Sequence, residues 1–486
     1  MKDFSKITEE LAVLQERTDW AQGTERIGRL LEKHGAELDR GEKSFLYGRL
    51  GYFLRFLERA EESAAAYREA VLYAPYLAQQ RKLYSDYLLI CHYLPHVSDE
   101  ELAESHFFYQ NFFRPKEELQ HVRDDHRRHS KIRIGYLSSN FKTHIMSCFM
   151  MQLLALADRD RFEVYCYDLG GLSDGAAEQM KSFGNIWRNI ALPEAKERAR
   201  TIAEDEIDIL FDLGVHTDGG HGLATLGYKA APVQIAGIGY MSTSGLKAVD
   251  YYLSDRFLDP PGKGDAYFSE KLLRLSHSHF CYTPFEEIFK STIDWQPHER
   301  PVFGCFNNSA KISEEMLRLW LTLLRRVPGA KLLLKAWKPE ALLERALSLG
   351  YCRGEIEVRP MTLDYVHEYM DMDIALDTFP YTGGGTTCEA IYMGVPVVTL
   401  AGTRHGTRFG LSLLENVGLG ELVSNTPEEY VEKAAALASD AELLAALHKN
   451  LRPMMQRSPV MDGKSYVREI EAMYEDVWQA WLDGRE

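Results

Sequence analysis

The chain has 486 residues and a formal charge of −16, a length that predicts roughly two to four domains. The acidic balance excludes a sequence-independent nucleic-acid binder, because phosphate contacts need a basic surface. Seven dispersed cysteines form no CxxC pair, so neither a disulfide framework nor a cysteine-based zinc site is expected. The N-terminus lacks the apolar core of a signal peptide, and no apolar run reaches the ~20 residues of a membrane span. We therefore expect a soluble, cytoplasmic protein.

Residues 1–125 are predicted to form a helical domain, because apolar residues recur there at spacings of three and four. Residues 44–75 resemble a tetratricopeptide helix pair, in which small residues allow close helix approach and a proline ends the second helix. The residues of that pattern are Leu50, Gly51, Tyr67, Ala70 and Pro75. The flanking segments 7–35 and 78–112 fit degenerate copies or caps. A plain helical bundle is the alternative.

Strands and helices alternate after a charged segment at 115–130, which we interpret as a linker or a solvated helix. This rhythm is typical of a doubly wound parallel sheet. It restarts after a polar interval at 284–300, so we predict two tandem Rossmann-like lobes, at 131–285 and 286–486, with a C-terminal helix near 464–483. The predicted strands are 132–138, 162–168, 207–213, 232–238, 301–307, 331–337, 355–360, 373–379 and 396–400.

The segment "CFNNSAKISEEML", residues 305–317, leads from a predicted strand into a predicted helix. Ser313 is placed to cap that helix. Lys311 lies in the turn, where a lysine can neutralise a pyrophosphate as a point charge. The alternative is an ordinary surface lysine.

The sequence "GGGTT", residues 383–387, follows one predicted strand and precedes a predicted helix. Free N–H groups and the helix dipole make such a helix N-terminus an anion site, and glycines let a phosphate approach the backbone. Thr386 and Thr387 can cap the helix and donate hydroxyls, and Glu389 can accept from a ribose hydroxyl. The alternative is a tight turn without a ligand.

Two histidines fall on loops at the carboxyl edge of the first predicted sheet, His144 in "SSNFKTH" and His216 in "DLGVH". Each can act as a general base or orient an acceptor; the alternative is a hydrogen-bonded loop histidine. The pair Asp371-x-Asp373 resembles a metal-binding DxD. Because Asp373 begins an apolar strand, we favour an element terminus over a metal site.

Seven ordered motifs together resemble the O-GlcNAc transferase/SPINDLY family of glycosyltransferases, particularly its bacterial members. The likeness covers roughly residues 131–486, and the helical segment before it is similar to that family's N-terminal arrangement. The motifs are "RIGYLSSNFKTH", "FEVYCYDL", "APVQIAGIGYMSTSG", "VDYYLSD", "FNNSAKI", "LDTFPYTGGGTT" and "MGVPVVTL".

The resemblance implies an α/β GT-B fold, with two Rossmann-like lobes preceded by a small all-α tetratricopeptide-like domain. It implies a metal-independent enzyme whose UDP-linked donor binds mainly to the C-terminal lobe. By position, His144 and His216 match the acceptor side, and Lys311 matches the lysine that contacts the diphosphate. The remaining donor-side residues are Asn308, Gly384, Gly385, Thr386, Thr387 and Glu389. The chain departs from the family in having glycine for the histidine of the usual "GHTT" turn and Cys148 for a second histidine.

The expected activity is inverting transfer of GlcNAc from UDP-GlcNAc to protein Ser or Thr side chains, with flagellin or another bacterial surface protein as a candidate acceptor. No cofactor or metal is expected, since the UDP-sugar is a substrate. The expected partners are the nucleotide sugar and a protein acceptor, with no nucleic acid and no membrane span. The alternatives are a glycan or other non-protein acceptor, UDP-glucose as donor, a UDP-sugar epimerase, and a non-catalytic tetratricopeptide-like binding module.

Overall fold

The computed structural model of the protein describes residues 4–362 and 364–485. A helical domain comes first and two parallel sheets with flanking helices follow it. The helices are α1 (Phe4–Glu16), α2 (Trp20–His34), α3 (Arg40–Phe56), α4 (Ala60–Tyr73), α5 (Leu77–Cys91), α6 (Asp99–Phe108), α7 (Arg123–His126), α8 (Ile145–Ala155), α9 (Gly175–Ser182), α10 (Ala195–Glu204), α11 (His221–Leu226), α12 (Glu286–Lys290), α13 (Glu314–Arg326), α14 (Pro339–Ser348), α15 (Gly385–Tyr392), α16 (Phe409–Val417), α17 (Pro427–Ser439), α18 (Ala441–Gln456) and α19 (Gly463–Leu482).

The helical domain is built around the closely packed pair α3 and α4, which coincides with the segment that resembles a tetratricopeptide repeat. Gly51 makes this approach possible, because a Cβ atom there would lie 2.8 Å from the ring of Tyr67. The hydroxyl of Ser63 donates to the Gly51 carbonyl at 2.7 Å and fastens the two helices. The predicted segment 7–35 corresponds to α1 and α2, and the segment 78–112 corresponds to α5, α6 and a 3-10 turn at Tyr109–Phe112.

The first lobe contains a seven-stranded parallel sheet in the order β3-β2-β1-β4-β5-β6-β7. Strands β1 and β2 have the predicted bounds, and the predictions at 207–213 and 232–238 correspond to β4 and β5. Strands β3, β6 and β7 were not predicted. The strands are β1 (Ile132–Ser138), β2 (Phe162–Asp168), β3 (Ile186–Asn189), β4 (Ile209–Asp212), β5 (Val233–Gly237), β6 (Tyr251–Asp255) and β7 (Lys271–Leu275).

The second lobe contains a six-stranded parallel sheet in the order β10-β9-β8-β11-β12-β13. Its first five strands in the chain match the five predicted ones, and the two-residue β13 was not predicted. Parallel strands bring their carboxyl ends to one edge of a sheet, which is where open α/β sheets bind ligands. The strands are β8 (Val302–Cys305), β9 (Lys331–Ala336), β10 (Ile356–Pro360), β11 (Ile374–Leu376), β12 (Val397–Leu400) and β13 (Val423–Ser424).

The last helix, α19, returns to the first lobe, although its position in the sequence assigns it to the predicted 286–486 lobe. Its Tyr474 hydroxyl lies 3.1 Å from the hydroxyl of Tyr136 on β1, and its Tyr466 hydroxyl donates to the His279 carbonyl at 2.8 Å. Two parallel-sheet lobes, a preceding helical domain and this returning helix confirm the predicted GT-B fold class. Within the described residues, no helix is long and apolar enough to cross a bilayer.

Candidate active site

Asp377 organises the glycine turn from the carboxyl end of β11. Its buried carboxylate accepts a hydrogen bond from the Gly383 N–H at 2.7 Å and another from the Thr399 hydroxyl at 2.7 Å. It also accepts from the Thr378 N–H at 2.9 Å. Burial raises the pKa of Asp377, but three hydrogen bonds to the charged form oppose that effect. The carboxylate therefore closes the chain into the turn that precedes α15.

The N-terminus of α15 directs backbone N–H groups out of this turn. No side chain caps the helix at Gly384, and the bond from the Cys388 N–H to the Gly384 carbonyl, at 3.0 Å, is the first of its ladder. The N–H groups of residues 385–387 therefore have no partner within the helix. Together with the helix dipole they make a place where a negative group is stabilised.

Lys311 meets the glycine turn from the neighbouring loop. Its ammonium donates to the Thr382 carbonyl at 3.2 Å and lies 3.5 Å from the centroid of the Tyr381 ring. Burial lowers the pKa of Lys311 to about 8, against the opposing attraction of Asp377. Ser313, as predicted, caps the following helix by accepting from the Met316 N–H at 3.2 Å. The structure thus brings together the predicted lysine and the predicted turn.

The first lobe packs closely against this turn at the junction between the two lobes. A Cβ atom on Gly385 would overlap the Ile145 side chain at the start of α8, and one on Gly384 would lie 3.1 Å from the Phe280 ring. His144 immediately precedes Ile145 and is exposed. The His144 loop and the glycine turn therefore lie on the two sides of the junction between the lobes, and the crevice between paired Rossmann-like lobes is where such folds bind ligands.

A model of glycosyl transferase family 41 matches residues 112–294 and 283–470. The chain belongs to glycosyl transferase family 41. This confirms the family that the seven ordered motifs predicted.

Solved and curated family 41 relatives extend the likeness to most of the chain. The structure of Thermobaculum terrenum O-GlcNAc transferase, solved as a lysine-to-methionine mutant, is 28% identical, with a TM-score of 0.83 over 100% of both chains. "Probable UDP-N-acetylglucosamine--peptide N-acetylglucosaminyltransferase SPINDLY" of Solanum lycopersicum is 36% identical over 82% of this chain. The protein of the same name from Arabidopsis thaliana is 35% identical over 82% of this chain. This chain spans only 44% and 45% of the length of these two curated relatives.

In this family 41 chain, His144 is the N-cap of α8, and its Nδ1 accepts from the Met146 N–H at 3.2 Å. That bond places the proton of the neutral ring on Nε2. Desolvation and the charge of Lys142 lower the pKa of His144, and Asp218 opposes them. The neutral ring therefore offers a donor at Nε2, which suits it to orient an acceptor oxygen.

His216 is enclosed between the helical domain and the first lobe. Its Nε2 donates to the Ser244 carbonyl at 2.9 Å, so its Nδ1 accepts from the Ser85 hydroxyl at 2.9 Å. The side chain is completely buried, and burial and His106 hold its pKa well below the usual value. Nδ1 thus joins the loop after β4 to α5 and Nε2 joins it to the loop after β5, so neither nitrogen is available to an acceptor in this arrangement.

The two asparagines of "FNNSAKI" have different partners. The predicted residue, Asn308, is exposed and accepts from the Ala310 N–H at 3.1 Å, which stabilises the loop of Lys311. The adjacent Asn307 is buried; it donates to Asp377 at 3.1 Å and accepts from the Thr386 hydroxyl. Asn307 therefore connects the loop after β8 with the glycine turn.

Thr387 and Glu389 are turned into the second lobe. The Thr387 hydroxyl donates to the Gly383 carbonyl at 3.0 Å. The Glu389 carboxylate accepts from the hydroxyls of Tyr365 at 2.8 Å and Tyr369 at 3.0 Å. Burial raises the pKa of Glu389 to about 7. A ribose hydroxyl would have to compete with these tyrosines for the carboxylate.

The carboxylates of the DxD pair are engaged within the protein. Asp373, next to the start of β11, accepts from Trp295 at 3.0 Å, His298 at 2.8 Å and the Val302 N–H at 2.8 Å. Asp371 accepts from Arg359 at 2.6 Å. The pair lies at an element terminus, in agreement with our interpretation of the sequence.

Sequence reasoning did not select Asp377, Asn307 or Tyr381, which hold the turn and Lys311 in place. A partial signal for Asp377 was present, since an aspartate directly after an apolar strand is placed to accept hydrogen bonds from the backbone of the following turn. No signal in the sequence distinguishes Asn307 from Asn308, because their difference depends on which side chain faces β11.

Proposed function

We propose that this chain transfers N-acetylglucosamine from UDP-GlcNAc to the hydroxyl groups of protein Ser or Thr residues. One observation carries the proposal: the Lys311 ammonium lies 3.2 Å from the Thr382 carbonyl, directly before the glycine turn that leads into the uncapped N-terminus of α15. Both features favour negative charge, and they meet at the carboxyl edge of the second sheet. The names of the SPINDLY relatives add UDP-N-acetylglucosamine as donor and peptide as acceptor.

The chain's own groups would act when the bond between the sugar and the diphosphate breaks. Negative charge then grows on the departing diphosphate, and preorganised donors stabilise such charge most effectively in a site that excludes water. Lys311 and the N–H groups of residues 385–387 would supply this stabilisation. The engagement of Asp371 and Asp373 within the protein supports a step that requires no metal at this pair.

The acceptor hydroxyl would enter from the first lobe and attack the face of the sugar opposite the diphosphate, so that the anomeric carbon inverts as the bond to the diphosphate breaks. Because Nε2 of His144 already carries a proton, the hydroxyl proton would pass to the departing diphosphate or to water. The Nε2 of His144 would hold the acceptor by a hydrogen bond. We assign no proton transfer to His216, because both its ring nitrogens are bonded within the protein.

The helical domain would present the protein acceptor to this crevice. The ring of Tyr93, in this domain, lies 5.6 Å from the ring of Tyr381 beside Lys311. Arg404 of the second lobe donates to the Val97 carbonyl at 3.1 Å. The domain therefore borders the site directly, and flagellin or another bacterial surface protein is a candidate for what it holds. All seven cysteines are free thiols, which supports a cytoplasmic reaction.

Intact-mass spectrometry tests the proposal. The purified chain is incubated with candidate acceptors, including a flagellin, in parallel reactions. Each reaction contains one donor: UDP-GlcNAc, UDP-glucose or GDP-fucose. Addition of one N-acetylhexosamine mass, removed by an enzyme specific for β-linked GlcNAc, is the expected result. An acceptor modified only by another sugar, a free UDP-sugar that is epimerised, or donor binding without transfer would each reject the assignment.

A further inference from the structure

We propose that His126, His129 and Asp208 form a zinc-binding site that fastens the interdomain linker to the first lobe. Among the described residues, these three side chains bring one potential ligand atom each within 4.8 Å of one another. The Nδ1 of His126 lies 2.7 Å from a carboxylate oxygen of Asp208, and the Nδ1 of His129 lies 3.0 Å from the same oxygen. Asp208 is completely buried, and His126 is 8% exposed.

The donor set fits zinc better than the common hard cations. Two imidazole nitrogens and one carboxylate oxygen are ordinary zinc ligands, whereas magnesium and calcium prefer oxygen ligands alone. Zinc bonds of about 2.0–2.2 Å in a tetrahedral arrangement separate neighbouring ligand atoms by roughly 3.3 Å. The nitrogen and oxygen atoms of the cluster therefore need to part by only a few tenths of an ångström. A water molecule would complete the coordination.

The surroundings of the cluster resemble the outer shell of a metal site. The Nε2 of His129 faces the Glu206 carboxylate at 3.3 Å, which would orient the ring and leave Nδ1 for the ion. The second oxygen of Asp208 accepts from the Arg133 N–H at 2.8 Å and is held in place. Two carboxylates thus act on one imidazole, and the Arg133 guanidinium pairs with Glu206 at 2.8 Å and with Glu163 at 3.2 Å.

The site would join two parts of the chain, the linker and the start of β4, beside α19. His126 ends α7 in the segment predicted to be a linker or a solvated helix, yet its ring is buried, with centroids 5.8 Å and 5.6 Å from those of Trp478 and Trp481 on α19. Asp208 directly precedes β4, at the amino edge of the first sheet. His144 follows β1 at the opposite edge, so the ion would act on stability and take no part in sugar transfer.

Metal binding is tested on the full, untagged chain after dialysis against a chelator. Calorimetric titration with zinc is expected to give one site, and cobalt added as a probe should give the visible absorption of a four-coordinate ion. Zinc should also raise the Tm, by roughly 2 °C or more at saturating concentration. Failure of the folded, metal-free chain to bind either ion would overturn the proposal.

Variants locate the ion. His129→Ala and Asp208→Asn are expected to weaken zinc binding by at least about tenfold, and His126→Ala should do the same. The matched control is His121→Ala, in the same segment, whose ring nitrogen bonds to the Lys229 carbonyl at 2.8 Å; it should bind zinc like the parent chain. Circular dichroism identifies variants that fold. Unchanged affinity in any folded ligand variant, or equal loss in the control, would reject the site in favour of a hydrogen-bonded triad.

Discussion

The ammonium group of Lys311 donates a hydrogen bond to the carbonyl oxygen of Thr382 at 3.2 Å. This bond crosses between two loops that belong to different strands, β8 and β11, at the carboxyl edge of the second sheet. The bond places the Lys311 ammonium beside Thr382, the residue that precedes the glycine turn and its free N–H groups. A departing diphosphate would thus meet both sources of positive potential at once.

Replacing Lys311 by Met should reduce kcat by at least about 10²-fold, the effect expected on removing one preorganised donor to a developing charge. The methionine retains most of the apolar volume against Tyr381, so the Tm should change little. Steady-state kinetics with UDP-GlcNAc measures the effect. Lys331→Met, at an exposed lysine of β9, is the control and should be neutral. Turnover of Lys311→Met within tenfold of the parent, a barrier change of only ~1.4 kcal/mol, would reject the role of Lys311.

The activity should decline as the pH rises through about 8. Burial lowers the pKa of Lys311 to about 8, and only its protonated form can neutralise the diphosphate. Because kcat/KM reports groups of the free enzyme, its profile for the donor should show this ionisation. Lys311→Arg remains charged at higher pH. Its activity at pH 9, expressed as a fraction of its own activity at pH 7, should therefore persist even if its absolute rate is lower. An identical decline in this variant would assign the ionisation to another group.

Glu389 should make folding less favourable as the pH rises. Its pKa is raised to about 7, whereas an ordinary glutamate has 4.5. Between these values the folded state binds more protons than the unfolded state, so stability decreases with increasing pH. Glu389→Gln keeps a hydrogen-bond partner for each tyrosine hydroxyl but does not titrate. Its free energy of unfolding relative to that of the parent should therefore rise by roughly 2–3 kcal/mol from pH 5 to pH 8. Urea unfolding at several pH values measures this; Glu432→Gln, at an exposed position on α17, should give a curve parallel to the parent's.

The sequence predicted the long apolar strands β1 and β2, and the missed strands include two that are short or half-exposed, β3 and β13; the buried five-residue β6 was missed as well. Strands β1 and β2 were predicted to the residue, since each is seven residues long and largely buried. Strand β3 has four residues, of which two are exposed and none is buried, and β13 has only two. Such segments are stabilised by their place at the edge of a sheet, which periodicity does not encode.

Within the site, local chemistry could be predicted and long-range partners could not. The turn before α15 and the lysine before α13 were visible because each follows a strand and precedes a helix. The enclosure of His216 depends on Ser85, which is 131 residues away in the chain, and on how the helical domain packs. A pattern of neighbouring residues contains no information about that contact.

His144→Asn separates the helix-capping role of His144 from its proposed role in binding the acceptor. Asparagine is a favourable N-cap, so the bond to the Met146 N–H and the stability of α8 should be preserved, with a Tm close to the parent's. The variant lacks the Nε2 donor, so kcat/KM for the acceptor should fall by about 10–100-fold. His144→Ala, by comparison, should also lose about 1 kcal/mol of stability with the cap. An unchanged acceptor kcat/KM in His144→Asn would remove this residue from the site.

Gly385→Ala should disrupt the crevice because its Cβ would overlap Ile145 of the facing lobe. We expect the two lobes to separate locally and kcat/KM for the donor to fall by about 10-fold or more, since small misplacements at a preorganised site cost rate. The methyl group lies between two specific side chains, so Ile145→Ala should make room for it. The double variant should then regain much of the lost activity, a coupling that the double-mutant cycle measures. Gly354→Ala, where a Cβ meets no atom within 4 Å, is the control; additive losses in the double variant would show that the crevice does not depend on this contact.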